Sequence, residues 1–424
     1  MIDCSYEIAK GVRLNYIKTT KFKTNYISFN FIAPLSSKTA HYNAMLPLIL
    51  TRASRKYPTQ MEISKRLQYL YSADVGASNN SFGEYHIFGL KANMLNNRFA
   101  NDIDINQETM NLICDLIFDP YLENGVFSKA YVKGEKQNLI DCIEAEINNK
   151  SSYATKRMLN EMCKDEVFNV SKLGEVQDVK RITSKSLYGA YKRAIEKYPI
   201  VVYVVGDCDI DAFANKLKEC FSKIDRSPIE IPLAEIKERA DSVKQIVDCE
   251  RVKQGKLVLG FRTAYKYTEN TYHLLQLFNE VYGGSPTSKL FMNVREKMSL
   301  CYTCRSAVSQ RMGVMMVSSG IEFDKKEIAE KAIIDQLEQI QKGNISKEEF
   351  DSAKKSIING YKSIYDSASA MANWVFYRSL CDSNTTPLAE CEKIEATTVE
   401  QIQELANRIT LDTVYFLKGE NTDD

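Results

Sequence analysis

Histidine is the residue with which this chain could most readily bind a metal or move a proton, and the chain has three of them. His41, His86 and His273 lie far apart in the sequence. Glu84 stands two residues before His86, so on a strand both side chains would share one face, as an acid–base or metal-binding pair requires. Because His41 is the only other histidine in that half of the chain, we expect a hydrogen-bonded structural pair there and no metal site.

Cysteine provides a second kind of candidate. The eleven cysteines have irregular spacing, which gives no disulfide framework and indicates reduced thiols. Cys301 and Cys304 form a Cys-x-x-Cys pair, a spacing found in zinc and redox sites. Residues i and i+3 of a strand point to opposite faces, and no second pair follows at zinc-finger spacing. We therefore expect neither kind of site here.

The charge balance limits the classes of partner. The 424 residues include 56 Lys and Arg against 55 Asp and Glu, so a net charge of +1 gives no electrostatic ground for binding nucleic acid or an anionic membrane. Apolar residues make up 44%, enough for a core in each half. The N-terminus has no signal-peptide pattern, and no apolar stretch is long enough to cross a bilayer. We expect a cytoplasmic protein with no nucleic-acid or membrane partner.

One order of strands and helices occurs twice along the chain. Apolar and polar residues alternate in Tyr26 to Ile32 and again in Lys256 to Arg262, as in half-buried strands. Helical patterns follow each strand, and each half ends in a β run closed by glycine, at 201–206 and 413–419. The pattern predicts two homologous α+β domains from an internal duplication. The alternative is two unrelated α+β domains.

The segment between the two copies sets the predicted domain boundaries. Lys223 to Glu250 contains Pro228 and Pro232, charges of both signs and no sustained apolar face, which is typical of a linker. We therefore predict an N-terminal domain over 1–222, a linker over 223–250 and a C-terminal domain over 251–424.

The segment from Tyr282 to Tyr302 has the most specific pattern in the chain. Its Gly-Gly, Ser, Leu-Phe, Arg-Glu, Leu and Tyr resemble, in order and spacing, the C-terminal half of the insulinase/pitrilysin family of zinc peptidases. The repeat and the closing β runs extend the resemblance to nearly the whole chain. It implies the mitochondrial-processing-peptidase fold, in which each domain is a mostly antiparallel sheet with helices packed on it. In that fold the two domains face each other across a chamber, and a second subunit joins them.

Active members of that family carry an inverted zinc motif, His-x-x-Glu-His, on a helix of the first half, and a further zinc-binding Glu on a later helix. None of the three histidines of this chain begins such a motif. When the segment 57–59 is matched to the family segment that follows the zinc helix, Ala44, Pro47 and Leu48 fall at the positions of His, Glu and His. The resemblance therefore implies that all three functional side chains are replaced.

The position of the later zinc-binding Glu is also altered. The resemblance places Cys142 there, and Glu144 or Glu146 would take its place if the alignment shifted by one turn. One carboxylate alone does not hold zinc, because affinity requires several placed ligands. These replacements predict no catalytic residue, no metal and no other cofactor. The chain is thus similar to the short, cytosolic, non-catalytic members that Gram-positive bacteria carry beside an active paralogue.

Two residues of the Tyr282 to Tyr302 segment correspond to substrate-side residues of the family. In active members the Arg and Tyr that match Arg295 and Tyr302 reach across the chamber toward the substrate carbonyl, where donor groups stabilise developing charge. A guanidinium and a phenol without zinc still suit peptide binding, because both donate hydrogen bonds to carbonyls. The alternative is a structural role, with Arg295 paired to a carboxylate and Tyr302 packed on its strand.

The resemblance also implies a place for a peptide in the first half. Ser78, Asn79 and Asn80, followed by Phe82 to Leu90, match the chamber-facing edge strand of the family. Such a strand can pair with an extended peptide through main-chain hydrogen bonds. A solvent-edge or domain-interface strand without a ligand is the alternative.

Three functions are compatible with these residues. The first is a non-catalytic subunit that pairs with an active zinc-bearing paralogue and helps to bind peptide in a shared chamber. The second is a homodimeric peptide-binding or scaffold protein with no enzyme attached. The third is an active zinc endopeptidase with an unorthodox metal site.

Overall fold

The computed structural model describes residues 1–100, 103–265 and 270–419. The chain divides into two compact units, each containing one large β-sheet. Among these residues, the first unit comprises 1–144, 170–233 and 366–377, and the second comprises 145–169, 234–365 and 378–419. Within the described ranges, none of the helices combines the length and apolar character needed to cross a bilayer.

The chain up to residue 221 supplies the first sheet and most of the helices around it, together with one helix of the second unit. Its strands are β1 (Cys4–Ala9), β2 (Val12–Lys18), β3 (Thr24–Pro34), β4 (Asp74–Phe82), β5 (Tyr85–Leu95), β6 (Leu122–Glu123), β7 (Val126–Phe127) and β8 (Ile200–Gly206). Its helices are α1 (Ala40–Leu50), α2 (Gln60–Tyr69), α3 (Ile105–Phe118), α4 (Lys129–Ala145), α5 (Lys150–Met162), α6 (Val176–Arg181), α7 (Ser184–Lys197) and α8 (Ile210–Phe221). The large sheet has the order β1-β2-β8-β3-β5-β4, with β2 and β8 parallel and the other neighbours antiparallel.

The remaining elements belong mainly to the second unit. Its strands are β9 (Lys244–Glu250), β10 (Gly255–Arg262), β11 (Cys301–Ser309), β12 (Val314–Ile321) and β13 (Thr410–Gly419). The helices are α9 (Tyr272–Asn279), two π-helical segments (Glu280–Gly284 and Leu290–Lys297), α10 (Lys326–Gln341), α11 (Lys347–Ser363), α12 (Ala368–Ser379), α13 (Pro387–Ala396) and α14 (Val399–Ala406). The sheet order is β11-β12-β10-β13-β9, with β13 and β9 parallel and the other neighbours antiparallel.

The two sheets share one topology. Read from the parallel pair, the first sheet runs β2-β8-β3-β5-β4 and the second runs β9-β13-β10-β12-β11, so each strand has a counterpart at the same place in the chain order. The first sheet adds β1 at its outer edge. The predicted α+β class, with two homologous, mostly antiparallel domains, is confirmed.

One difference between the two units and the predicted domain boundaries concerns β9. The last seven residues of the predicted linker form β9, the counterpart of β2, so this stretch belongs to the second repeat. Its half-buried positions, Ile246, Asp248 and Glu250, alternate with exposed ones. Two of these three inward positions carry carboxylates, and for that reason the stretch shows no apolar face in the sequence.

A second difference is that residues 145–169 pack in the second unit although they precede the predicted linker. On α5, Ala154, Met158 and Met162 form a buried cluster with side chains of β10, β12 and β13 such as Val258. Gly260 permits this contact, because a Cβ there would lie 2.5 Å from the Met158 sulfur. The helix thus covers the face of the second sheet opposite its main core.

The first sheet is covered in a comparable way by residues 366–377. The ring of Phe376 contacts Tyr203 at a centroid distance of 5.8 Å, and Tyr377 contacts Phe82 at 5.0 Å. Both faces of β3 are consequently buried. Ser28 and Asn30, which the alternation predicts to be solvent-facing, are buried and hydrogen-bonded to each other at 3.1 Å.

A buried ion cluster joins the 145–169 segment to the second sheet. Arg262, at the end of β10, is fully buried, and its Nε lies 2.8 Å from Oδ2 of Asp412 on β13. Its Nη2 lies 2.7 Å from Oε1 of Glu166 and donates to the Met162 carbonyl oxygen at 2.8 Å. Each nitrogen of the guanidinium therefore has an acceptor, as a buried charge requires.

Replacing Arg262 tests how far this cluster supports the second unit. In Arg262→Met the Asp412 carboxylate stays buried without its cation, and we expect the free energy of unfolding to fall by about 3–5 kcal/mol. Urea denaturation measures the loss. Arg305→Met, the same exchange at an exposed position on β11, is the matched control and is expected to change little. Equal stability of the two variants would contradict the assignment.

Candidate functional site

The positions aligned with the zinc motif lie on α1 and carry no metal-binding atoms. Ala44 and Pro47 are buried, and Leu48 is half-buried. Pro47 stands inside the helix, where it lacks the N–H that would bond the preceding turn. Its carbonyl oxygen accepts hydrogen bonds from the Thr51 backbone N–H at 3.1 Å and from its hydroxyl at 2.9 Å. Three hydrocarbon side chains cannot coordinate zinc, so this helix does not fit the metal.

The later helix presents no complete ligand set either. Cys142 on α4 is exposed, and Glu144 beside it is exposed as well. Glu146 follows α4 in a short 3-10 turn and forms an ion pair with Lys156. In the part of the chain that the structure describes, no group of three or more His, Cys, Asp or Glu side chains could hold a metal ion.

One carboxylate of α4 that the sequence comparison did not weigh is buried next to the end of α1. Glu135 accepts a hydrogen bond from Nη1 of Arg52 at 3.0 Å and another from the Asn138 amide at 2.9 Å. It lies seven residues before Cys142, which is two helical turns, and so shares a face with it. The spacing of Glu135 from Cys142 is the feature of the sequence that could have identified this carboxylate. The guanidinium of Arg52 supplies the charge that neutralises this carboxylate.

His86 is a buried structural histidine, as expected, but its partners are asparagines and not Glu84. Its Nε2 lies 2.7 Å from Oδ1 of Asn79, and its Nδ1 lies 3.4 Å from the amide of Asn43 on α1. Burial, followed by the nearby charge of Lys172, lowers the pKa of His86 to about 3. The ring is therefore neutral at pH 7, donating from Nε2 to Asn79 and accepting at Nδ1.

The strand pairing places the candidate peptide-binding residues of the first half at a sheet edge. β4, which contains Ser78, Asn79 and Asn80, is the edge strand, whereas β5 pairs on both sides with β3 and β4. Only the first part of the predicted edge segment is therefore available to a peptide. The Asn79 side chain turns inward to His86, and Ser78 and Asn80 lie on the opposite face.

Arg295 and Tyr302 lie in the second unit, Arg295 in the helical segment before β11 and Tyr302 near the start of β11, an edge strand of the second sheet. Arg295 is in a π-helical segment, where its guanidinium stacks 4.4 Å from the Phe291 ring centroid and lies 3.6 Å from the Glu296 carboxylate. Tyr302 falls at a register shift, where Cys301 and Thr303 pair with consecutive residues of β12. This bulge turns the Tyr302 side chain outward, where it is 74% exposed.

The same bulge overturns the prediction that Cys301 and Cys304 point to opposite faces. Cys301 pairs with Ile321 and Cys304 with Ser319, two residues that share one face of β12. Both thiols therefore lie on one face. Interaction with the Cys304 thiol, with smaller contributions from the Ser319 hydroxyl and the charge of Arg295, lowers the pKa of Cys301 to about 7, whereas the pKa of Cys304 is raised.

The buried histidine gives a pH dependence that can be measured. The unfolded chain binds a proton at His86 near pH 6.5, whereas the folded chain does so only near pH 3. The contribution of the neutral His86 ring to the free energy of unfolding is therefore present above pH 6.5. It is lost as the pH falls toward 3, with a slope of up to about 1.4 kcal/mol per pH unit. In His86→Gln we expect the free energy of unfolding to decline less steeply between pH 6 and 4. Urea denaturation across this range measures both slopes, and parallel curves would contradict the assignment.

Comparison with known proteins agrees with the missing zinc motif. Residues 181–357 match the model of the Peptidase M16 inactive domain. The chain is 33% identical over 410 residues to the probable inactive metalloprotease YmfF of Bacillus subtilis, covering 96% of each. A conserved protein from Enterococcus faecalis has the same fold, with a TM-score of 0.91, 28% identity and 99% coverage of both chains.

A more distant structure extends the comparison to a longer protein. The periplasmic protease PqqL from Escherichia coli superimposes with a TM-score of 0.68 at 13% identity, covering 98% of this chain and 46% of PqqL. This likeness concerns the fold alone. Taken with the YmfF match over almost the entire chain, these findings show that the protein belongs to the M16 peptidase family of insulinase and pitrilysin, as a homologue without the zinc-binding motif.

Proposed function

We propose that this protein is a non-catalytic subunit that pairs with an active, zinc-bearing paralogue and helps to bind peptide in a shared chamber. The observation that carries the proposal is the contrast between two sets of residues. The zinc positions on α1 hold Ala44, Pro47 and Leu48, while the substrate-side pair Arg295 and Tyr302 is kept.

The exposure of Tyr302 supports a binding role over the structural alternative. A tyrosine with a structural role would pack against its own strand. The side chain of Tyr302 is instead 74% exposed and has no hydrogen bond within the described part of the chain. A bulge at an edge strand commonly re-aims a side chain toward a site. The phenol can donate to a peptide carbonyl, and its ring offers an apolar surface.

Arg295 is held in place by contacts that leave its donors usable. The ring of Phe291 supports one face of the guanidinium, and the Glu296 carboxylate lies 3.6 Å from Nε, a contact too long for a firm hydrogen bond. An exposed pair of this kind adds little to stability. The terminal nitrogens can therefore donate to the backbone of an extended peptide.

The length of a structural neighbour supports pairing. PqqL is about twice as long as this chain, which covers 46% of it, so one PqqL polypeptide has room for two segments of this length. By analogy, we propose that a separate subunit provides the second segment here. The partner we propose is a paralogue with an intact His-x-x-Glu-His motif, since this chain lacks the ligands.

The test is reconstitution with a paralogue that carries His-x-x-Glu-His. We expect the two chains to co-purify, the pair to cleave an unstructured peptide, and Arg295→Ala in this chain to lower kcat/KM by about tenfold or more through lost donors. Arg305→Ala, which removes an exposed arginine of the neighbouring strand β11, is the matched control and is expected to leave activity unchanged.

Two results would overturn the proposal. Full peptidase activity of the paralogue alone would show that no second subunit is needed. Tight peptide binding by this protein as a homodimer, seen by sedimentation and titration, would favour the scaffold alternative instead.

Metal analysis tests the remaining alternative, an unorthodox zinc peptidase. After incubation with zinc and removal of loosely bound metal by a mild chelator, we expect far less than one zinc per chain, because the aligned positions lack ligands. Cys142→Ser is expected to leave the residual zinc unchanged, because that thiol is exposed and isolated. One retained zinc per chain that disappears in Cys142→Ser would contradict this prediction.

A further inference from the structure

A groove rich in lysine lies in the first unit, and none of the candidate site residues discussed so far lines it. It has a volume of about 600 Å³ and runs between the first turns of α4 and the connection from α6 to α7. We call it the lysine groove, and the five lysines that line it are Lys129, Lys133, Lys136, Lys180 and Lys185.

The α4 side of the groove is a built feature. Lys129, Lys133 and Lys136 are spaced by four and three residues, so they lie along one face of the helix. Lys136 is half-buried, and its ammonium donates to the carbonyl oxygens of Lys180 at 2.6 Å and of Ile182 at 2.9 Å. This pair of bonds fixes the two walls to each other and leaves a positive charge between them.

The other four lysines have no acidic partner. Lys129, Lys133, Lys180 and Lys185 are exposed, and none of them forms an ion pair in the described part of the chain. No aspartate or glutamate lines the groove. The positive charges therefore repel one another, and no carboxylate of the lining offsets that repulsion.

Two of these lysines also work against the helices that carry them. Lys129 and Lys185 lie in the first turns of α4 and α7, neither of which has an acidic residue in that turn. A cation at a helix N-terminus opposes the helix dipole and lowers stability slightly. The arrangement therefore costs the fold stability, which indicates that its benefit lies in binding.

The floor of the groove is aliphatic. Val126, Val132, Ile140 and Ile182 line it, and no aromatic side chain does. Stacking on aromatic rings is the usual way in which proteins hold the bases of single-stranded nucleic acid, so this lining does not suit them. Aliphatic side chains between lysines do suit a peptide in which carboxylates flank leucine, isoleucine or valine.

We propose that the lysine groove is a docking site for an acidic peptide segment of a partner protein, in which carboxylates contact the lysines and aliphatic side chains cover the floor. Charge complementarity selects this occupant. The proposal goes beyond the function proposed above, because it involves neither Arg295 nor Tyr302 and requires no peptidase activity.

The test is fluorescence anisotropy of the lone full-length chain with a labelled peptide that alternates glutamate with leucine. We expect saturable binding that weakens as salt rises, since exposed charges are screened. The double variant Lys133→Glu/Lys180→Glu is expected to weaken binding by about tenfold or more through like-charge repulsion. Lys65→Glu, an exposed lysine on α2 that does not line the groove, is the matched control with no expected effect.

Further binding measurements distinguish an acidic peptide from other anions. A glutamine–leucine peptide should bind at least about tenfold more weakly, and Lys133→Gln/Lys180→Gln provides a milder second variant if the glutamates disturb folding. Equal binding of the glutamine peptide, unchanged affinity in both double variants, or equal competition by polyuridine or inorganic phosphate would overturn the proposal. These results do not bear on the reconstitution with a paralogue, so the two proposals fail independently.

Discussion

The second unit depends on one buried cation. Arg262 links three parts of the chain that lie far apart in sequence, since it belongs to β10, Asp412 to β13 and Glu166 to the stretch after α5. Removing a guanidinium from water is costly, and the cost is offset only where every donor finds an acceptor. Two of the acceptors, Glu166 and the Met162 carbonyl oxygen, are present only when α5 lies on the sheet, so the cluster fixes the position of α5 as well as stabilising it. Burial of Met158 and Met162 follows from that position.

The sheet of the first unit also has a second face that must be covered, and different contacts cover it. Residues 366–377 lie on this face with the rings of Phe376 and Tyr377. The polar side chains beneath, Ser28 and Asn30, bond to each other, and Asn30 also donates to the Val201 carbonyl oxygen at 3.1 Å. Aromatic contacts are less directional than an ion cluster. The two homologous sheets thus share a topology while their covering segments are held by different physical interactions.

The sequence predicts those parts of the structure that depend on local pattern. Alternation along β3 and β10 indicates the strands, and the repeated order of elements predicts the shared topology. The pattern does not predict that 145–169 packs on the second sheet, because an apolar helix face shows that something must cover it but not what. β9 was not predicted because two of its three inward positions are Asp248 and Glu250, whose carboxylates pair with side chains of α5.

At the candidate site, too, the sequence predicts residue types but not tertiary contacts. The absence of zinc ligands follows directly from residue types, since Ala44, Pro47 and Leu48 cannot coordinate a metal whatever their geometry. The relation of Cys301 to Cys304 did not follow, because the expectation assumed a regular strand and the bulge at Tyr302 adds one residue. The partners of His86 come from a neighbouring strand and from α1, positions that only tertiary structure brings together.

The replacement of the zinc motif goes further than the loss of ligands. Ala44 and Pro47 are buried in the first unit, and Asn43 on α1 adds a hydrogen bond to His86 that ties the helix to β5. A buried carboxylate such as Glu135 needs a compensating cation, and Arg52 provides it. With its apolar side chains packed and its nearby carboxylate neutralised, α1 is stable without a metal ion. The fold around the former zinc positions is therefore held by ordinary packing and ion pairing, while Tyr302 of the second unit stays exposed.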